Sequence, residues 1–66
     1  MEPYQQRAVE EHREVVQRRQ KLAAAINNVA DFNKFPGAEQ ERMKRQLRIM
    51  VEYEGVLQER IDHFPK

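Results

Sequence analysis

Met43, Leu47, Met50, Leu57, Ile61 and Phe64 follow one line of alternating four- and three-residue steps. That spacing keeps apolar side chains on one edge of an α-helix and commits the segment to the seam of a coiled coil or bundle. One position on the line is wrong for a seam: Glu54 stands where an apolar residue belongs. Beside it runs a second, partly apolar stripe of Gln46, Ile49, Tyr53, Val56 and Arg60. The first half of the chain is patterned in the same way. Ala8, Val15, Leu22 and Val29 recur at sevenfold spacing, with Val9, Val16, Ala23 and Ala30 alongside. His12 and Arg19 fall between those rows, inside the apolar stripe.

Punctuation is concentrated in the middle, in "NNVADFNKFPGAEQE". Asn27, Asn28, Asp31 and Asn33 favour caps and turns, and Pro36 suits the first turn of a helix, where its missing N–H costs nothing. The expected organisation is all-α and a single domain over 1–66. Helix one spans about 3–29, a turn about 30–36, and helix two about 37–63, stopped before Pro65. Two amphipathic helices on a short link pack antiparallel. Their stripes are wider than one partner helix covers, and apolar surface left in water is unfavourable by roughly 25 cal/mol per Å². A chain of 66 residues without cysteine has no disulfide to compensate, and at this size only ~60% of the unfolded surface is buried on folding. The hairpin is therefore expected to assemble into a homo-oligomeric helical bundle, with Val9, His12, Val16, Arg19, Ile49 and Val56 at the subunit interface.

Basic and acidic side chains number 12 and 11, a net charge of +1. A nucleic-acid polymer is an unfavoured partner for so balanced a chain. No run of about 18 apolar residues is present to span a membrane, and the first residues lack the apolar core of a signal peptide. The expectation is a cytoplasmic protein. There is no serine, threonine or cysteine, so the usual nucleophiles are missing, and Gly37 and Gly55 stand too far apart to form a phosphate loop. No HxxxH or HxxE spacing occurs, and His12 and His63 lie far apart in sequence. These features read as a binding protein without metal or cofactor rather than as an enzyme.

With the turn centred near residues 33–34, Arg7 faces Arg60, Glu11 faces Val56 and Glu14 faces Tyr53. Arg18 and Arg19 come level with Arg48 and Ile49. Two polar zones result. One, near the chain ends, gathers Tyr4, Arg7, Glu11, Tyr53, Glu54 and Arg60; the other is a mid-hairpin belt of Arg18, Arg19, Lys21, Arg45 and Arg48. Ion pairing in the first zone can serve only to set helix register, and the belt can be a solvated face with glutamates at helical spacing. Alternatively, arginine forks suit phosphate, and tyrosine offers a ring face and a hydroxyl.

The stretches "YQQRAVEE" and "DFNKFPGAEQERMKRQLRIMVEYEGVLQERI" resemble a short all-helical protein family of tailed bacteriophages, related to a protein of a crAss-like phage. The likeness covers nearly the whole chain. It runs through Tyr4, Gln5, Gln6, Arg7, Glu11, a phenylalanine near the turn (Phe32 or Phe35), Glu39 and Gln40, then Gln46, Met50, Glu52, Tyr53, Leu57, Arg60 and Ile61. Ala8, Ala25 and the segment "HREVVQRR" depart from the family pattern. In architecture such proteins are similar to the anti-CBASS and anti-Thoeris sponges, oligomers of helical hairpins that trap immune signals. The resemblance implies a counter-defence protein that sequesters a cyclic oligonucleotide or cyclic ADP-ribose derivative without cleaving it, inside an infected bacterial cell. Tyr4, Arg7, Glu11, Tyr53 and Arg60 are the implied ligand contacts, with Arg18 and Arg48 as secondary phosphate contacts. The competing reading is a module that binds a host or phage protein through Ile49, Tyr53 and Val56.

Overall fold

Helix α1 (Pro3–Asn27) and helix α3 (Gly37–Asp62) lie antiparallel, joined through a single helical turn, α2 (Val29–Phe32). The structure is a computed structural model and describes residues 1–65. The rod measures 48 × 14 × 14 Å over its Cα atoms. At the open end, Gln5 Oε1 accepts the backbone N–H of Glu2 at 2.9 Å, and Pro3 starts the helix at a position that needs no donor. Tyr4 meets Phe64 edge to face, ring centroids 5.9 Å apart, closing this end across the two chain termini.

The break between α1 and α2 is made by Asn28. Its ψ of 88° leaves the helix, while its Oδ1 accepts the N–H of Asp31 and its Nδ2 donates to the Asp31 carboxylate at 2.9 Å. Short polar side chains compete with the helical ladder in this way. The resulting turn folds Phe32 inward, 8% exposed, under the Lys44 ammonium 5.8 Å from its ring centroid. Gln40 then donates to the carbonyls of Phe32 and Phe35, at 3.2 and 2.9 Å, fastening the turn to the start of α3. Two expectations are corrected here. Val29 does not continue the seam but is 66% exposed, because the break at Asn28 rotates it away. Pro36 caps α3 from outside, and Gly37 takes the first helical position.

Along α3, Gln40, Met43, Leu47, Met50, Glu54, Leu57 and Ile61 are buried or half-buried, and Phe64 beyond the helix continues the line. In α1 the matching line is Gln5, Ala8, His12, Val15, Arg19, Leu22 and Ile26. Both lines alternate by three and four residues, the spacing of a heptad seam. Glu54, the misfit in the pattern, meets the misfit of the other helix. Arg19 Nε lies 2.6 Å from Glu54 Oε2, and Arg19 Nη2 donates to Oε1 at 3.3 Å. The Arg19 Nε–H is not aimed along its short contact, so that buried atom has charge proximity but no hydrogen bond. The side chains are 27% and 21% exposed. Arg19 thus bonds more than one helical turn further along α3 than the Ile49 level expected from turn length, and Glu54 leaves the Arg7–Arg60 zone.

Among the described residues, only Ala8, Val15, Phe32 and Leu57 are buried hydrophobics. The chain exposes 5199 Å², against roughly 4,450 Å² for a compact monomer of this mass by surface scaling. Removing one member of a polar seam pair strands the other, so Glu54→Ala is expected to destabilise the hairpin by about 1–2 kcal/mol, below the fully buried case because both groups touch water. Arg19→Leu with Glu54→Leu is expected to raise stability above wild type, by ~1 kcal/mol or more. Urea denaturation followed by circular dichroism reads both; a double variant no more stable than Glu54→Ala would contradict this account of the seam.

Candidate functional site

The handedness of α-helices decides which other residues share a side. In an antiparallel pair, the position just after each second seam residue lies on one flank of both helices, and the position just before each first seam residue lies on the opposite flank. The first flank therefore carries Val9, Val16 and Ala23 of α1, with Lys44, Val51 and Gln58 of α3. The second carries Tyr4, Glu11 and Arg18 of α1, with Gln46, Tyr53 and Arg60 of α3. Further out on the second flank are Arg7, Glu14 and Lys21, facing Ile49 and Val56. The Tyr4–Phe64 contact on the second side and the Arg19–Glu54 contact on the first agree with this division.

The seam itself is two-sided. Its row toward the second flank is apolar throughout: Ala8, Val15, Leu22, Met43, Met50, Leu57 and Phe64. The row toward the first flank holds every polar seam residue, namely Gln5, His12, Arg19, Gln40 and Glu54. His12 and Arg19 sit in the stripe on this polar row, and for Arg19 the reason lies within the chain: its partner is Glu54.

Five of the residues singled out from sequence, Tyr4, Arg7, Glu11, Tyr53 and Arg60, thus share the second flank. Tyr4 and Tyr53 are each 43% exposed; the Tyr4 ring packs edge to face on Phe64 and its hydroxyl accepts from Gln5 Nε2 at 3.5 Å. Glu11 is half-buried, and Arg7 and Arg60 are exposed. Among the described residues neither arginine is in an ion pair, which leaves both guanidinium forks available to an anion. Arg18 falls on the same flank.

The mid-hairpin belt does not hold together. Arg19 is engaged by Glu54. Arg45 and Arg48 lie on the outer surface of α3, where with Glu41 and Arg42 they line a shallow open depression. Arg42 is occupied by Glu39 at 2.7 Å. Arg48 is thereby separated from the tyrosines it was grouped with. The expected interface residues also divide: Val9, His12, Val16 and Arg19 belong to the first flank, Ile49 and Val56 to the second.

Among the described residues, no group of three or more histidine, aspartate or glutamate side chains is arranged to hold a metal ion, and no helix is long and apolar enough to cross a membrane. Neither the curated proteins nor the solved structures contain a match to the chain. The family model described as Sequestin matches residues 2–63. That span takes in both long helices, the capped turn and every residue of the second-flank cluster: the chain belongs to the Sequestin family.

Proposed function

We propose that this protein is a homo-oligomeric sponge that binds a cyclic nucleotide immune signal, of the cyclic oligonucleotide or cyclic ADP-ribose type, and holds it without cleaving it. The observation that carries the reading is the gathering of Tyr4, Arg7, Glu11, Tyr53 and Arg60 on one flank, with both arginines outside any ion pair among the described residues. The family name, which speaks of sequestering, points the same way. In this reading Tyr4 and Tyr53 stack on or hydrogen-bond the bases. Arg7 and Arg60 take the phosphates, and Glu11 orients an arginine or accepts from a base edge, with Arg18 as a further phosphate contact. A chain with no serine, threonine or cysteine suits capture better than turnover. The resemblance to tailed-phage proteins supports a counter-defence role in the cytoplasm of an infected bacterium.

Assembly belongs to the same proposal. A rod with so small a core and so much exposed surface leaves Ile49, Val51, Tyr53 and Val56 between 43% and 55% exposed, more than a stable monomer of this length favours. A second reading draws on that same patch: Ile49, Tyr53 and Val56 follow seam spacing along α3 and could instead receive a helix of a host or phage protein.

Calorimetric titration with a panel of cyclic dinucleotides, cyclic trinucleotides and cyclic ADP-ribose isomers separates the two. One class of the panel is expected to bind, and to be recovered chemically unchanged after the protein is denatured. Arg60→Ala removes a charge-assisted contact and is expected to weaken capture about tenfold to a hundredfold, with the assembly unchanged in sedimentation. Absence of heat across the whole panel would favour the protein-binding module, and a cleaved ligand would overturn the sponge.

A further inference from the structure

On the second flank, α1 carries a row of charges that is complementary to itself. From the open end toward the turn it reads Glu11, Glu14, Arg18 and Lys21, two acids and then two bases. Among the described residues none of the four is in an ion pair, although Glu14 and Arg18 stand four residues apart on one helix. Laid antiparallel on a copy of itself about Val16, the row sets Glu11 against Lys21 and Glu14 against Arg18, and two-fold symmetry makes each pair twice. Sliding one copy by a heptad instead sets Glu11 against Glu14 and Arg7 against Arg18. Helix α3 has a matching centre. The exposed Ile49 and Val56 stand on either side of Tyr53, so the same arrangement packs Ile49 on Val56 with Tyr53 at the axis. The two centres coincide. Tyr4 meets Phe64 across the hairpin, and twelve residues inward from that contact along both strands of the hairpin bring Val16 level with Glu52, within about 1.5 Å, one helical residue, of Tyr53. The seam points to the same flank: Leu22, Met43 and Met50, in the apolar row toward it, are only half-buried by the hairpin. The first flank has no such pattern, and on α1 its one charge is Arg13.

We propose that a second copy of this chain covers the second flank, antiparallel to the first and related to it by a two-fold axis that crosses α1 near Val16 and α3 near Tyr53. The product is a four-helix bundle in which every adjacent pair of helices is antiparallel. This contact rests on the assembly proposed above and specifies it. A parallel copy would lay α1 on α3, setting Glu14 and Arg18 against the exposed Tyr53 and Ile49 and losing all four ion pairs. Tyr4, Arg7 and Arg60 lie beyond the central contact, at the open end, where each copy meets the turn end of the other. Arg60 comes level with Gln46 of the second copy. Each dimer therefore offers two equivalent anion sites built from both copies, and Glu11 and Tyr53 act in the contact that holds them together.

Charge exchange followed by sedimentation tests the contact, since lysine and glutamate are both good helix formers. Glu11→Lys with Glu14→Lys makes the row wholly positive; Arg18→Glu with Lys21→Glu makes it wholly negative. Each double variant alone is expected to keep its helicity and to dimerise roughly tenfold to a hundredfold more weakly than wild type. Mixed in equal amounts, the two are expected to form a dimer containing one copy of each. The quadruple variant reverses every sign and is expected to regain the wild-type dimer, because its row is again complementary to itself. An assembled wild type whose double variants assemble unchanged would overturn this contact and leave the assembly reading standing. So would double variants that neither the mixture nor the quadruple variant rescues. A monomeric wild type would overturn both.

Discussion

A single contact, Arg19 with Glu54, sets the alignment on which the rest of the hairpin depends. Apolar heptad residues attract without direction, and a seam of alanine, valine, leucine and methionine tolerates more than one register. Placing an arginine and a glutamate on facing seam lines removes that freedom, because any slip leaves two half-buried charges apart. The contact is 2.6 Å at its shortest, and the residues on either side of it are apolar. A polar pair in this position exchanges some stability for a defined pairing, and pairing is what the proposed binding surface, built from two helices, needs. Tyr4 and Arg7 come from one helix, Tyr53 and Arg60 from the other, and a slip of one turn would separate them.

Much of this was legible in the residues. The spacing from Met43 to Phe64 specified α3 and its seam, and the irregularity at Glu54 was visible as such. The antiparallel hairpin followed from two amphipathic stretches and one cluster of turn formers. What pattern alone could not supply was the partner of Glu54. Turn length places Arg19 near Arg48 and Ile49, whereas its long side chain reaches along α3 to Glu54, and the linker is itself structured: Asn28 caps a separate helical turn and Phe32 folds back under Lys44. Val29, just beyond the break at Asn28, turns out to solvent for the same reason. Heptad geometry puts Tyr4, Arg7, Glu11, Tyr53 and Arg60 on one flank, and a modest change of register does not move them off it. Ile49 and Val56 widen an apolar stripe of α3 as Val9 and Val16 widen that of α1. Only the opposite direction of the two helices sends those pairs to opposite sides.

The chain's economy has a physical consequence. Among the described residues only four hydrophobic side chains are fully buried, in a rod whose exposed surface exceeds that of a compact protein of its mass. The unmet apolar surface is not scattered; it runs in lines at helical spacing, which is how helices present themselves to other helices. In the proposed assembly, binding and assembly free energies are linked, because a ligand lying between copies would be held only by the assembled form and would stabilise it in turn. A sequestering protein gains from this linkage, since capture that tightens the assembly slows release.

Native mass spectrometry of the purified protein, alone and with the cyclic nucleotide panel, tests this linkage most directly. The account predicts one discrete oligomer that gains ligand mass in a fixed ratio to its copies and resists dissociation better when loaded. A monomer that takes up no ligand would contradict it.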